Sequence, residues 1–181
     1  MATDRISIRD AHPDEAEAIG TLTEAVYRAE GFTDGGWYSA ELLDAAGRIA
    51  GGRVLVAEVD GLVAGTVTLA PPGSPFAEIT DGTELEVRML ATVEHARRLG
   101  VADRLMDGAE ADARERSLLG VVLSTEPAMQ GAHRLYERRG YVRRPDRDWH
   151  HDGYDLLVYA LDLTAPVAGG EPGFPPAGDD D

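Results

Sequence analysis

The chain of 181 residues has no cysteine, no lysine and no asparagine, and Gln130 is its only glutamine. Without cysteine there is no disulfide scaffold, no thiolate zinc site and no cysteine nucleophile. Without lysine there is no Schiff base and no P-loop lysine. All 17 basic residues are arginine. With alanine and glycine abundant, that skew reads as coding bias and says little about mechanism. No apolar run approaches the roughly 18–20 residues that cross a bilayer. The start, Met1 to Asp10, is polar and carries acids, unlike a secretory leader. A cytoplasmic protein off the membrane is therefore expected. The net charge of −16 argues against a general nucleic-acid binder.

What is present fits one globular domain, since 181 residues with 43% hydrophobic content can bury a core. Charge is unevenly spread. Residues 97–147 hold 11 arginines and 8 acids, a net of +3, while the remainder holds 6 arginines and 25 acids, a net of −19. A locally basic stretch in an acidic chain suits an anionic ligand. Arginines coating two solvated helices would give the same count.

Ile6 and Ile8 alternate with polar residues and predict a short strand. Ala16, Ile19, Leu22 and Val26 recur at helical spacing behind Pro13-Asp14, predicting a helix over about 14–29. Glycines at 31, 35 and 36 break it, and a second helix is expected over Ser39 to Arg48 with Ser39 as its cap. Two β-branched runs, Val54–Val59 and Leu62–Leu69, flank Asp60-Gly61, a type I′ hairpin signal. Residues 73–83 read as a loop and Glu84–Thr92 as a strand. Val101, Leu105, Ala109 and Ala113 form the apolar stripe of a long helix. Val121–Leu123 reads as a buried strand, a last helix runs to about Arg139, and Tyr141-Val142 and Tyr154–Leu163 read as final strands. The central βαβ unit predicts a parallel pair within an otherwise antiparallel sheet. Residues 1–163 form the expected domain. Residues 164–181, with four prolines, four glycines and three terminal aspartates, read as a flexible acidic tail.

Between the strand Glu84–Thr92 and the helix from Val101 lies Arg97-Arg98-Leu99-Gly100-Val101-Ala102. A strand, a glycine turn and a helix start together bind anions. The first helical N–H groups lack internal partners, and the helix dipole adds about half a positive charge. Gly100 lets the backbone approach a ligand closely, and Arg97 and Arg98 add charge-assisted bonding. The three glycines of G-x-G-x-x-G and the G-K-[ST] of a P-loop are both missing, which disfavours an ordinary dinucleotide or ATP site. A helix start with no ligand also fits these six residues taken alone.

Arg97–Ala102 matches the [QR]-x-x-G-x-[GA] pyrophosphate loop of the GNAT acetyltransferases. Val87–Thr92 resembles the strand that precedes it in that family, and Ala132-His133-Arg134-Leu135-Tyr136-Glu137-Arg138-Arg139-Gly140-Tyr141 resembles its A-x-x-L-Y-x-x-x-G-[FY] motif. The resemblance spans about residues 5–163. It implies a GNAT-like mixed α/β fold: a largely antiparallel sheet of about six or seven strands with a parallel central pair, flanked by about four helices. It implies acetyl-CoA as cosubstrate and no metal. The acceptor would be a small-molecule amine or a peptide, with no nucleic acid or membrane partner, and the chain would often be a homodimer. Main-chain groups of Leu90, Ala91 and Thr92 would pair with the pantetheine arm. Arg97, Arg98, Leu99, Gly100, Val101, Ala102 and Asp103 would bind the pyrophosphate. Tyr136 would protonate the leaving thiolate. Glu86, ahead of Glu84, is the expected base, and Phe32, Trp37 and Tyr38 the expected aromatics of the acceptor pocket. The family's helix-four asparagine is missing, leaving Gln130 or Ser124-Thr125 to substitute, and Thr92 stands where valine is common. His150 and His151 are expected at the surface. Direct acetyl transfer in a ternary complex is the leading expectation. The alternatives are a non-catalytic acyl-CoA sensor of the same fold, and a phosphate-binding domain with no CoA.

Overall fold

The computed structural model describes residues 5–165. Strand β1 (Ile6–Asp10) leads through a short 3-10 turn (Pro13–Glu15) into α1 (Ala16–Ala29). Next come α2 (Gly36–Leu43), α3 (Ala45–Gly51), β2 (Arg53–Val59), β3 (Leu62–Ala70) and β4 (Glu84–Thr92). They are followed by α4 (Val101–Glu115), β5 (Gly120–Thr125), α5 (Gln130–Arg138), β6 (Val142–Arg143), β7 (Trp149–His151) and β8 (Tyr154–Asp162). The strands run in the order β1-β2-β3-β4-β5-β8-β6, with β7 paired to β8. Among the described strands only β4 and β5 are parallel. This is the expected mixed sheet, with eight strands in place of six or seven and five α-helices in place of about four.

The extra elements have local causes. The helix expected over 39–48 is two helices, because the Asp44 carboxylate accepts the Gly47 N–H at 2.9 Å and starts a new one. Arg48, almost wholly buried, then donates to the carbonyls of Glu41 and Leu42 and closes the end of α2. Ser39 is not a cap. It sits inside α2 and donates to the Glu24 carboxylate at 2.9 Å. Strand β7, absent from the sequence expectation, is three residues long and held by β8 alone. The Asp60-Gly61 hairpin has positive φ at both turn residues, 52° and 80°, as a type I′ turn requires. Of residues 164–181, only the first two are described.

Helices lie on both faces of the sheet. Leu105, Met106 and Ala109 of α4 and Leu135 and Tyr136 of α5 bury one face with Val67, Leu85 and Val87. On the other face, Ile19 and Ala45 pack on Val54 and Val56, and Tyr27 and Leu42 pack on Met89 and Ala91. Gly65 sets how closely α4 approaches. A Cβ there would lie 2.8 Å from Val101 Cγ1 and 2.9 Å from the Ala91 carbonyl, so any larger residue would push the first turn of α4 off the sheet.

Candidate active site

The site begins with one extra residue in β4. Its register with β3 steps from Thr66↔Ala91 to Thr68↔Arg88, so Val67 alone faces Met89 and Leu90. Met89 takes a left-handed φ of 54°. This is a β-bulge, which bends the strand and breaks its alternation. Val87 faces α4, while Arg88 and Met89 both face the α1–α2 side. Pairing of β4 with β5 ends at Val87↔Leu123, although β4 runs on to Thr92 and β5 to Thr125. Beyond Val87 the two strands part, β4 staying with β3 and β5 with β8. The β5-facing edge of Arg88–Thr92 has no strand partner among the described residues.

A groove of about 810 Å³ runs from this opening, within the usual 300–1,000 Å³ span of small-ligand sites. Its wall includes Leu90 and Thr92 of β4, Arg97 and Arg98 of the following turn, and Gly100–Asp103 at the start of α4. Across from them lie Ala128–Ala132 at the start of α5, with Tyr136 one turn further on. Two helix N-termini thus face one groove, and neither has a side-chain cap. Gly100 is left-handed at φ 92°, and a Cβ placed on it would meet nothing within 4 Å. Its backbone borders open space, as an approach to a ligand needs. Arg98 is left-handed too, at φ 65°. The Thr92 hydroxyl is buried with no hydrogen-bond partner among the described residues, an orphan that a ligand in the groove can satisfy. Of the groove's arginines, Arg97 pairs with Glu30 at 2.8 Å and Arg138 with Asp103 at 2.9 Å. Arg98 and Arg134 have no carboxylate partner among the described residues. Arg139, at the end of α5, ties it to α4 through Asp107 at 2.7 Å and Glu110 at 3.0 Å.

Nine of the eleven groove candidates singled out in the sequence lie in its wall. Leu90, Thr92, Arg97, Arg98, Gly100, Val101, Ala102, Asp103 and Tyr136 all line the groove. Leu99 is exposed on the turn outside the groove wall, and Ala91 points to the opposite face with Tyr27 and Leu42. Gln130, Ser124 and Thr125, the candidates for the missing asparagine, are all in the wall.

Tyr136 is 6% exposed. Its ring packs against Tyr141 at 5.7 Å and Tyr159 at 6.1 Å. Burial pushes its phenol above the ordinary range, so it stays protonated and able to donate.

A second, narrower concavity of about 80 Å³ opens on the α1–α2 side. Six rings line it: Tyr27, Trp37, Tyr38, Trp149, His151 and Tyr154. Its charged groups are Glu41, Glu78, Glu126 and Arg88. Arg88 Nη2 lies 3.2 Å from Glu78 and 3.9 Å from Glu41. Burial raises the Glu126 carboxyl above its usual range, and its carboxylate has no hydrogen-bond partner among the described residues. Val87, Arg88, Met89, Ser124, Thr125, Met129 and Tyr27 belong to both the groove and this concavity. The two hollows therefore meet at the point where β4 and β5 part. Phe32 lines the groove instead of the pocket. His151 is exposed, as expected, yet it stacks edge-on against Trp37 at 5.3 Å and belongs to the pocket wall.

Glu86 is not brought to either hollow. It is 1% exposed, and one carboxylate oxygen accepts the N–H groups of Glu78 and Ile79 at 2.6 and 2.8 Å. Burial raises its pKa, with those two bonds pulling the other way. Glu84 is paired with Arg147 at 2.8 Å, and Arg147 also holds the Ile79 carbonyl. Both glutamates anchor the loop that carries Glu78 into the pocket. The expectation of a base at Glu86 does not match this position. Sequence reasoning missed Glu126, and its only local signal is its place directly after β5.

An opened β4–β5 seam, the uncapped start of α4 and a buried tyrosine thus border one groove. The sequence profile described as the Acetyltransferase (GNAT) family matches residues 16–141. The chain belongs to that family and is a GNAT acetyltransferase. No curated protein matches the chain by sequence. Among solved structures, a GNAT-family acetyltransferase from Staphylococcus aureus Mu50 superposes with a TM-score of 0.69 at 16% identity, covering 87% of this chain and 99% of its own. YncA of Salmonella typhimurium, a putative acetyltransferase solved with its cofactor acetyl-CoA, gives 0.65 at 20% identity, covering 92% and 99%. The ribosomal-protein-alanine N-acetyltransferase of Brucella melitensis gives 0.65 at 23% identity, covering 87% and 99%. At these identities the likeness is one of fold. No helix among the described residues is long and apolar enough to cross a membrane. Among the same residues, no group of three or more histidines and carboxylates is placed to hold a metal ion.

Proposed function

We propose that this chain acetylates a primary amine with acetyl-CoA, by direct attack while both are bound. The observation that carries the reading is the junction of a long groove with a separate pocket at the β4–β5 opening, with Tyr136 in the groove wall. The residues present fit acetyl-CoA. The open N–H groups of Arg98 and Gly100–Asp103 suit its pyrophosphate, the free β4 edge at Leu90–Thr92 suits its amide-bearing arm, and the Thr92 hydroxyl has an unmet bond to give. Acetyl-CoA supplies an activated acyl carbon and a thiolate leaving group.

Glu126 takes the proton that the attacking amine must lose. Its raised pKa brings it closer to neutrality, where a general base works best. Tyr136 gives its proton to the sulfur as the C–S bond breaks and the N–C bond forms. A free phenol and a free thiol differ by only about 1.5 pKa units. The apolar setting that raises Tyr136 would raise the thiol as well. Position and exclusion of water supply the rest of the rate.

Mixing the protein with acetyl-CoA and a panel of amines, while following free thiol, tests this directly. Thiol release that depends on the amine supports it. A thermal shift with acetyl-CoA and no release with any amine would instead indicate a non-catalytic acyl-CoA sensor. No shift at all would sink the cofactor assignment.

A further inference from the structure

We infer that the acceptor is a small organic dication: an amine to be acetylated joined by a short aliphatic spacer to a second amine that is protonated at neutral pH. The inference rests on the reading above and names the substrate class of its pocket. Three carboxylates, Glu41, Glu78 and Glu126, face one arginine there, a formal charge of −2. Arg88 is already engaged by Glu78 and by the Phe76 carbonyl at 3.0 Å. It therefore has little left to offer an anionic acceptor. Glu126 is the carboxylate for the reacting amine, which leaves Glu41 in excess. Glu41 is 3.9 Å from Arg88, beyond a good hydrogen bond, and nearly half exposed.

Beside Glu41, the rings of Trp37, Tyr38 and Tyr154 lie 5.4 to 6.4 Å apart and are tilted or edge-on to one another. Several electron-rich rings sharing one pocket wall with a carboxylate offer an ammonium both cation–π attraction and a counter-charge. The chain's acidic surface, net −16, draws the same class of ligand. A cavity of about 80 Å³ limits the body of the ligand to a few carbons.

Trp37 and Trp149 are the only tryptophans in the chain, and both line this pocket. Intrinsic tryptophan fluorescence therefore reports pocket occupancy without any need for turnover. Three matched probes are diaminobutane, butylamine and aminobutanoate, which share one reacting amine and differ in the charge at the far end. Diaminobutane should change the fluorescence at concentrations about tenfold below butylamine and should exceed it about tenfold in kcat/KM for thiol release. Aminobutanoate should be weaker than butylamine on both counts. Glu41→Gln should bring the diamine-to-butylamine ratio close to one, whatever it does to either rate. Equal responses to the three probes, or a preference for aminobutanoate, would overturn the inference. So would silence from all three in a protein that binds acetyl-CoA by calorimetry, and that result would leave the groove reading standing. Failure to bind acetyl-CoA would remove the parent reading, while a fluorescence preference for the diamine would still support a dication pocket.

Discussion

Glu86 offers the sharpest separation of two roles that a glutamate in this strand can hold. As a base it would be replaced by glutamine at a loss of about 10²–10⁴ in kcat. As the anchor of the 78–79 turn it would behave otherwise, and the structure lets the magnitudes be worked. One oxygen, Oε2, accepts both the Glu78 and the Ile79 N–H. Glutamine keeps a carbonyl oxygen that can take both bonds and loses only the charge assistance, about 1 kcal/mol. Alanine leaves two buried N–H groups unpaired, at about 1–3 kcal/mol each. For a chain of this size each kcal/mol lowers Tm by about 2–4 °C. We therefore expect Glu86→Gln to melt within about 4 °C of the parent and Glu86→Ala roughly 4–24 °C lower. With the best amine of the panel, kcat of Glu86→Gln should stay within about threefold, and the acceptor KM should rise as Glu78 loosens.

The same residue makes a pH prediction. The folded pKa of Glu86 is raised above its unfolded value, chiefly by burial. The folded chain then binds the proton more tightly than the unfolded one. The stability this gives is present below the ordinary carboxyl pKa and is lost as pH rises through the folded value. Glutamine cannot ionise, so the Tm difference between Glu86→Gln and the parent should move in the variant's favour from acid toward neutral pH. A hundredfold loss of kcat in Glu86→Gln, with Tm unchanged and no such pH trend, would refute the anchor and restore the base.

Three further outcomes bear on the groove and its chemistry. Tyr136→Phe removes a hydroxyl with no hydrogen-bond partner among the described residues, so Tm should hardly change while kcat falls about a hundredfold and acetyl-CoA affinity by calorimetry stays within about threefold; an unaltered kcat would take Tyr136 out of the acid role. Gly100→Val places a β-branched side chain at φ 92°, costing about 1–3 kcal/mol of backbone strain and filling the space in front of the α4 N–H groups, so acetyl-CoA binding should drop by more than the Tm shift explains, and unchanged binding would put the pyrophosphate elsewhere. If Glu126 is the base, kcat/KM should fall as pH drops through its raised pKa, and Glu126→Gln should lose that acid limb along with most of its rate; an identical limb in the variant would move the base to another group.

Much of the groove's wall was legible in the sequence because its parts are local. A glycine after two arginines, a helix stripe from Val101 and a tyrosine on the next helix each read from a few adjacent residues. The Asp60-Gly61 turn was legible for the same reason. What escaped depends on partners far apart in the chain. Arg147 meets Glu84 across 63 positions, and His151 reaches Trp37 only through a three-residue strand that β8 holds in place. Glu86 was misplaced because alternation gives a face, not what covers it. On paper Glu84, Glu86 and Arg88 share one side of β4. In the folded chain, residues 74–80 close over the first two and leave only Arg88 in the pocket.

The bulge at Met89 was equally invisible, and it is what makes the two halves of the site compatible. An unbroken strand would put Val87 and Met89 on one face and Arg88 and Leu90 on the other, since side chains alternate. The doubled position lets Arg88 and Met89 serve the pocket together, then returns Leu90 to the α4 side, where the groove runs. It also bends β4 away from β5 just past their last paired residues, Val87 and Leu123. A left-handed methionine costs about 1–3 kcal/mol, so a strand with no task beyond pairing would have little reason to keep it. Its retention here ties the opening of the sheet, the bare β4 edge and the meeting of groove with pocket to a single backbone irregularity. The chemistry proposed for Tyr136 and Glu126 requires that meeting point, because the two residues stand in different hollows and share only the wall between them.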